Sequence, residues 1–225
     1  MFRKASLILF LLALVSGFAF GQEPEATPSP EPKKANQRPE NEYQPPPEPY
    51  DKASIDELRK CVAFDTEKGL IEVEMFPDTA PITVRNFLNL VGIGALNNTT
   101  FSRVVPGFVI QGGDLYTNKE ITTQFMFRAV RNVPDEPNLV RHQRGIISMA
   151  RGEEANSATT HFFILVADAT TLDNKFAAFG KVAKGMDLVD AINKAEVENE
   201  KPKEPVLIKT AKVVGCTEGG EQNPE

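Results

Sequence analysis

The sequence predicts a mainly β domain with a closed antiparallel architecture. Short apolar and β-branched runs recur at eight places and are separated by turns that contain Gly or Pro. Helical periodicity is confined to two segments, so the chain lacks the alternation of strands and long helices that is typical of a parallel sheet.

The predicted elements begin with a β-hairpin, because residues 61–66 and 70–76 flank a short turn and the second run alternates apolar and acidic residues. A helix capped by Thr79, with Pro81 in its first turn, follows. Its apolar residues recur at the helical spacing, at Val84, Phe87, Leu88 and Val91. Six further strands are predicted at 100–105, 108–111, 145–150, 161–166, 177–182 and 206–214, and a second helix at 186–194.

The ends of the chain differ from this folded segment. Residues 1–21 carry two basic residues ahead of an apolar run and are interpreted as a cleaved signal peptide; a retained membrane anchor is the alternative, although the run is short for a bilayer span. Nine of the seventeen prolines lie in 22–50, so residues 22–53 are predicted to be a disordered linker. The folded domain is placed at 54–217 and a disordered polar tail at 218–225.

A signal peptide implies export, to a periplasm or to the outside of the cell. The formal net charge is −6, and it becomes −8 when Arg3 and Lys4 leave with the signal peptide. An acidic chain is a poor partner for nucleic acid, because binding to phosphates needs a basic face. We expect a monomer that has no contact with the membrane after signal cleavage.

Cys61 and Cys216 are the two cysteines of the chain, and they stand at the two ends of the folded segment. In an exported protein such a pair is able to form a disulfide. Two buried free thiols are the alternative, and the residues alone leave both open.

Three blocks of sequence resemble the cyclophilin family. The run FSRVVPGFVIQGGD at 101–114 is similar to the cyclophilin signature F-H-R-V-I-x-G-F-x-x-Q-G-G-D. The second block comprises RGIISMAR at 144–151 and NSATTHFFI at 156–164, and the third is LDNKFAAFGKV at 172–182. The blocks occur in the family's order and the resemblance covers residues 60 to 215.

The resemblance implies an eight-stranded antiparallel barrel with a helix at each end and a substrate groove on its outside. The first and last strands of that barrel are neighbours, which would bring Cys61 and Cys216 together. It also implies a peptidyl-prolyl cis/trans isomerase that acts on unfolded or exported polypeptides containing proline, and that needs no cofactor.

By the same resemblance, Arg103 is the catalytic residue. The proline ring would enter an apolar pocket, Gln111 would hold the substrate backbone through its side chain, and Ala150 and Arg151 through main-chain groups. The residues expected to bind substrate are Phe108, Val109, Gln111, Ala150, Arg151, His161, Phe163, Leu172 and Phe176.

Alternatives to this function were considered. Several positions around the pocket depart from the family pattern, among them Val109, His161 and Phe176, so a binding module or holdase without turnover is the second hypothesis. A metal site is not predicted, because neither histidine has a second ligand at metal-like spacing. A hydrolase triad of Ser148 or Ser157 with His161 has no nucleophile-elbow sequence to support it. Finally, the segment 45–49 was considered as a tethered occupant of the groove.

Overall fold

The computed structural model describes residues 43–216. The chain divides into two units, Met1–Gln44 and Pro45–Glu225, and the fold presented below is that of the second unit. The predicted signal peptide, residues 22–42 of the predicted linker and the predicted tail lie outside the described residues. Within residues 43–216, no helix is both long enough and apolar enough to cross a bilayer.

Strands dominate the described part of the chain, as predicted. The elements are, in order, β1 (Cys61–Thr66), β2 (Gly69–Met75), α1 (Pro81–Gly92), β3 (Thr99–Thr100), β4 (Arg103–Val105), β5 (Val109–Gly112), α2 (Thr123–Val130), β6 (Ile146–Met149), β7 (Phe162–Leu165), β8 (Ala178–Lys184), α3 (Met186–Asn193), β9 (Val197–Glu198), β10 (Lys201–Pro202) and β11 (Leu207–Val214). The mainly β class is therefore confirmed, and α1 and α3 lie where helices were predicted. The helix α2 was not predicted.

Nine of the described strands form one antiparallel sheet in the order β3-β11-β1-β2-β8-β6-β7-β5-β4, and β9 and β10 form a separate ribbon. The outer strands β3 and β4 were predicted as one strand, but Phe101 and Ser102 separate them. Phe101 is fully buried, and its amide donates a hydrogen bond to the carbonyl of Val206 (3.0 Å). The sheet curls into a half-barrel whose edge strands are consecutive along the chain. A closed barrel of eight strands is therefore only approximated.

The main core lies inside the curled sheet, and a group of aromatic rings packs together within it. Phe64 of β1 stacks on Phe162 of β7, with ring centroids 5.6 Å apart. The helix α1 contributes Phe87, whose ring lies 5.3 Å from that of Phe162 and 4.9 Å from that of Phe179. All four rings are fully buried, so α1 is held against the sheet by the apolar face that its periodicity predicted.

The first turn of α1 is capped differently from the prediction. The helix begins after Ala80, whereas the hydroxyl of Thr79 donates to the carbonyl of Phe76. The free amides of Ile82 and Thr83 instead donate to the carboxylate of Glu136, at 3.0 and 2.6 Å. A carboxylate from a distant loop thus takes the place of a local cap, and it suits the positive end of the helix dipole.

The folded unit begins at Pro45, ahead of position 54 where the sequence predicts its start. The physical reason is an ion pair between Glu48 and Arg128 of α2, 3.0 Å apart, in which both side chains are about 95% buried. The amide of Tyr50 also donates to the side chain of Asn89 in α1 (2.6 Å). Pro45 to Pro47 consequently line a depression beside α2, and the structure does not bear out the idea that this segment occupies the predicted groove.

The two cysteines are joined. β1 pairs with β11, Cys61 lies opposite Val214, and the Cα atoms of Cys61 and Cys216 are 4.9 Å apart in a disulfide. The predicted bridge is confirmed, and it ties the first strand of the sheet to the residue that follows the last one.

Candidate functional site

The candidate site lies on the outer face of the sheet, because alternate residues of its strands point in opposite directions. In β5, Ile110 is part of the main core, whereas Val109 belongs to a second apolar cluster. β7 divides in the same way, with Ile164 in the core and Phe163 in the outer cluster. The partly buried members of this outer cluster are Phe76, Val105, Phe108, Val140, Ala150, Leu172 and Phe176. The sheet therefore carries an apolar patch on the side that faces away from the core.

Strand register places the central site residues in one row. Arg103 of β4 lies opposite Gln111 of β5, and Gln111 lies opposite Phe163 of β7. The next residue in the row is Ser148 of β6, opposite Phe163. The guanidinium of Arg103, the amide of Gln111 and the ring of Phe163 therefore lie side by side on three neighbouring strands. The register of the strand pairs produces this arrangement.

A cavity of about 170 Å³ opens beside this row, and its walls are mostly apolar. The residues that line it are Arg103, Phe108, Val109, Gln111, Ala150, Arg151, Phe163, Leu172 and Phe176. The structure therefore brings together the predicted catalytic residue and every predicted substrate-binding residue except His161. Since the walls are mostly apolar and Arg103 lies at the edge, the cavity suits a small apolar ring. Polar groups attached to that ring would reach the guanidinium of Arg103.

Arg103 is held at its base by two side chains. Its Nη1 donates to Oε1 of Gln111 (3.1 Å), and its Nε donates to Oε2 of Glu200 (2.8 Å). The side chain of Arg103 keeps 42% of its area exposed, so it is accessible from the cavity. The partnership with Glu200 was not predicted from the sequence.

Arg151 closes one side of the cavity with its side chain as well as its backbone. Its guanidinium carbon lies 5.1 Å from the centroid of the Phe176 ring, which is a cation–π arrangement. Phe176 in turn meets Phe163 edge to face, with centroids 6.0 Å apart. The prediction for Arg151 named only its main chain, so the stacking of its side chain is an addition made by the structure.

His161 lines a neighbouring polar depression of about 500 Å³ that shares Arg103, Gln111, Ala150 and Arg151 with the apolar cavity. Burial lowers the pKa of His161, and the nearby carboxylate of Asp114 opposes this shift only in part. The imidazole is therefore neutral at pH 7 and adds no positive charge to those of Arg103 and Arg151.

The loop that carries Leu172 and Phe176 is fastened from beneath by His142. The amide of His142 donates to Oδ1 of Asp173 (2.7 Å), and its carbonyl accepts from the amide of Ala169 (2.7 Å). The ring of His142 lies between Asp173 (Nδ1 to Oδ1, 3.2 Å) and Ser148 (Nε2 to Oγ, 3.0 Å). Because a carboxylate only accepts, Nδ1 carries the proton and Nε2 accepts from the hydroxyl.

This arrangement resembles a serine hydrolase triad in composition, but Ser148 is fully buried. A substrate does not reach its hydroxyl, and the histidine that contacts it is His142, whereas the triad considered from the sequence used His161. The cluster ties β6 to the loop that carries Leu172 and Phe176 through hydrogen bonds of His142. The sequence contained the three residues but gave no sign that they meet.

The turn between β4 and β5 is fastened by Asn193, at the end of α3. Its Nδ2 donates to the carbonyls of Val105 and Val109 (both 2.9 Å), and its Oδ1 accepts from the amide of Gly107 (2.7 Å). In the sequence, Asn193 stands out as a polar residue one helical turn after Val189, on the face of the helix that is otherwise apolar.

Gly113 explains why glycine follows Gln111 and Gly112 at the end of β5. Its φ is +87°, and a Cβ at this position would lie 2.2 Å from the carbonyl oxygen of Thr160. Just after β5, the backbone at Gly113 therefore lies too close to the segment before β7 for any side chain to fit. The glycines serve this close approach.

The described residues contain no cluster of three or more His, Cys, Asp or Glu side chains suited to a metal ion. The groups available at the cavity are the guanidinium groups of Arg103 and Arg151, hydrogen-bonding groups and an apolar recess. The fold and the site thus define an antiparallel half-barrel protein whose recess lies on the outer face of its sheet.

Comparison with known proteins identifies the family. Residues 61–213 match the family model of the cyclophilin type peptidyl-prolyl cis-trans isomerases. Peptidyl-prolyl cis-trans isomerase A of Dickeya dadantii is 39% identical over 163 residues, which cover 68% of this chain and 84% of that protein. Peptidyl-prolyl cis-trans isomerase B of Escherichia coli K12 is 36% identical, over 68% of this chain and 98% of that protein.

Solved structures agree with the sequence comparison. The crystal structure of a cyclophilin type peptidyl-prolyl cis-trans isomerase from Cryptosporidium parvum, determined in the presence of the dipeptide Ala-Pro, has a TM-score of 0.61 and 27% identity. The structural match covers 69% of this chain and 99% of the Cryptosporidium parvum chain. The chain therefore belongs to the cyclophilin family and is a peptidyl-prolyl cis/trans isomerase.

Proposed function

We propose that Arg103 carries the isomerisation, by stabilising an X-Pro bond that is half-way through its rotation while the proline ring is held in the apolar cavity. The observation that supports this proposal is the cavity itself, which is lined by Arg103 together with Phe108, Phe163 and Leu172. The substrates we propose are unfolded or exported polypeptides that contain proline.

The chemistry requires no bond to be made or broken between heavy atoms. Rotation about an X-Pro bond interrupts amide resonance, and its barrier of ~18–20 kcal/mol makes the uncatalysed step take tens of seconds or more. In the twisted state the prolyl nitrogen regains a lone pair. A cation that interacts more strongly with this state than with either planar form lowers the barrier.

Arginine suits this task because it stays protonated at any working pH and presents several donors in a rigid plane. Two of its five N–H groups are used by Glu200 and Gln111. Among the residues that the structure describes, Nη2 has no hydrogen-bond partner, so it is available to the substrate. The neighbouring walls exclude water from one side of the cavity, which strengthens the interaction.

Gln111, Ala150 and Arg151 are proposed to hold the peptide backbone on either side of the proline. They lie where the apolar cavity and the polar depression meet. If the proline ring of an extended peptide occupied the apolar cavity, the residues before that proline would lie over the polar depression, beside His161. Two adjoining spaces of this kind favour an extended peptide as the ligand over an isolated small molecule.

The decisive test is Arg103→Ala. We expect kcat/KM for a proline-containing peptide to fall by about 10²–10³, the cost of removing one fixed donor from a preorganised site. Peptide affinity should change far less, since the apolar walls remain. Isomerisation is measured by a coupled peptide assay and affinity by calorimetry.

The matched control is Arg141→Ala, which removes an exposed arginine outside the cavity. It should leave kcat/KM unchanged. Wild-type rates in Arg103→Ala, with the fold verified by circular dichroism, would refute the assigned mechanism.

Export is proposed for the same protein, and the disulfide between Cys61 and Cys216 supports it because such bonds persist in oxidising compartments. In that setting the enzyme would act on proteins whose folding waits for prolyl isomerisation. Its presence in a periplasmic or extracellular fraction, with a mature N-terminus after residue 21, is the result expected.

A further inference from the structure

The ribbon formed by β9 and β10 places an acidic side chain against Arg103. The two strands are antiparallel, with Glu198 opposite Lys201, and only Asn199 and Glu200 lie between them. The carbonyl of Glu200 accepts a hydrogen bond from the amide of Val104 (2.8 Å), next to Arg103 in β4. The carboxylate of Glu200 accepts from Nε of Arg103 at 2.8 Å. The ribbon is thus fixed to β4 by both backbone and side chain.

The backbone of this turn is unfavourable for glutamate. Asn199 has a φ of +50° and Glu200 a φ of +64°, so both residues adopt the left-handed conformation of a type I′ turn. Asn-Gly is the preferred pair in such a turn, because a Cβ is disfavoured at positive φ. Asn199 fits this preference and Glu200 does not. A residue that occupies a strained position against local preference is a candidate for a function that its side chain performs.

We propose that Glu200 is a positioning residue for the isomerisation, which holds the guanidinium of Arg103 in the orientation that faces the cavity. The proposal rests on the function proposed above for Arg103. Glu200 takes Nε while Gln111 takes one N–H of Nη1, so the planar group is held at two points. A planar guanidinium held at two points keeps its other N–H donors in a fixed direction. The conformational entropy of the Arg103 side chain is therefore already lost before the substrate binds.

Stability does not account for the pair. Both side chains are about half exposed, at 42% for Arg103 and 50% for Glu200, and an exposed ion pair contributes little to folding. The strain at Glu200 opposes folding as well. The effect of Glu200 should therefore be seen in turnover and hardly at all in stability.

The informative variant is Glu200→Gly, because it relieves the backbone strain while it removes the carboxylate. We expect its melting temperature to be equal to or higher than that of the wild type, and its kcat to fall roughly tenfold with little change in KM. Glu200→Gln keeps an acceptor of the same reach and should restore most of kcat. The two constants are separated by NMR exchange measurements on an Ala-Pro peptide.

Glu198→Gln is the matched control, since Glu198 lies on the same ribbon, is exposed and does not contact Arg103. It removes the same charge and should leave kcat unchanged.

The outcomes separate this inference from the proposed function. If Arg103→Ala is inactive and Glu200→Gly has the kcat of the wild type or a higher one, the positioning role is overturned while the role of Arg103 stands. If Arg103→Ala is active, the proposed mechanism fails and the inference fails with it. In the Arg103→Ala background Glu200→Gly should cause no further loss, and an additive loss would also contradict the proposal.

Discussion

His142 and His161 each sit where the charged imidazolium is disfavoured. Burial is the main cause that lowers the pKa of His142, and the hydrogen bond and charge of Asp173 offset it only partly. His161 is lowered for the same main reason, with Asp114 as the opposing charge. Both rings are therefore neutral in the folded protein at pH 7, one beneath the cavity and one in the polar depression beside it.

These shifts predict a loss of stability in mild acid. Below the unfolded-state pKa of about 6.5, the unfolded chain binds protons at both histidines while the folded chain does not. The free energy of unfolding should thus fall as pH drops from about 6.5 towards the lowered folded-state values. Above about 6.5 the two histidines add no pH dependence, because they are neutral in both states. Urea unfolding at pH 7.5 and pH 5.5 measures the difference.

His161→Gln and His142→Asn serve as variants for this prediction. Each should reduce the difference in unfolding free energy between the two pH values, and the double variant should reduce it further. The lowered pKa of Asp173 acts in a more acidic range, since carboxylates titrate near pH 4. Equal urea midpoints for the wild type at both pH values would contradict the assignment.

The structure brings predicted site residues together where they are contiguous in the sequence. Arg103, Phe108 and Gln111 fall in one motif, and the register of β4 with β5 follows from the short turn between them. Glu200 gave no such signal. It reaches Arg103 across 97 positions of the chain, and a hydrogen bond between residues so far apart depends on the course of the backbone.

The position of the β4–β5 turn depends on α3. Asn193 replaces three hydrogen bonds that water would otherwise make with Val105, Val109 and Gly107. Asn193 is 95% buried, so truncating it removes the donor that the buried carbonyl of Val109 uses and releases the turn at Gly107. The turn precedes Phe108 directly, and a displaced turn would move one wall of the cavity.

Asn193→Ala should lower the free energy of unfolding by about 2 kcal/mol, the usual cost of unsatisfied buried polar groups. It should also lower kcat/KM severalfold, on the order of 3-fold to 10-fold, as Phe108 loses its fixed position. Chemical denaturation and the peptide assay measure the two effects. Lys194→Ala, at the exposed neighbouring position, is the control and should change neither; a stable, fully active Asn193→Ala would show that the anchor is dispensable.

At the level of elements, the sequence missed α2 for a physical reason. The helix has eight residues, and it buries Arg128 while Met126, Phe127 and Val130 are largely exposed. Phe125 and Ala129 pack against the main core, but apolar residues also occupy the exposed side of the helix, so the sequence does not show which side is buried. The buried partner of Arg128 is Glu48, which lies in a Pro-rich segment with a composition typical of disorder.

On the scale of the whole molecule, the disulfide closes nearly the entire domain. Cys61 and Cys216 are 155 positions apart, and a link across so long a loop restricts the unfolded chain strongly. The chain-entropy model puts its contribution at ~3–5 kcal/mol. Neither cysteine lines the cavity, so the bridge should matter for stability and leave the chemistry unchanged.

Replacement of both cysteines, as Cys61→Ser with Cys216→Ser, should lower the free energy of unfolding by ~3–5 kcal/mol and move the urea midpoint to lower concentration. Wild-type protein kept under reducing agent is the matched comparison, and it should behave like the double variant. Isomerase activity at a temperature where both forms are folded should be equal. An unchanged urea midpoint would mean that the bridge adds nothing to stability.

By itself, the sequence determined the mainly β class and two of the helices, because strand alternation and helical periodicity are local properties. Its contiguous motifs also indicated most of the residues that line the cavity. The tertiary structure decided that Cys61 and Cys216 are bridged. Only the tertiary structure decided that the barrel is incompletely closed and that residues 45–53 belong to the folded unit. It also decided that Glu200 contacts Arg103, and that His142 and Asn193 contact the loop and the turn beside the cavity. Those contacts join distant positions through buried or charge-assisted hydrogen bonds, whose partners are chosen by how the whole chain packs.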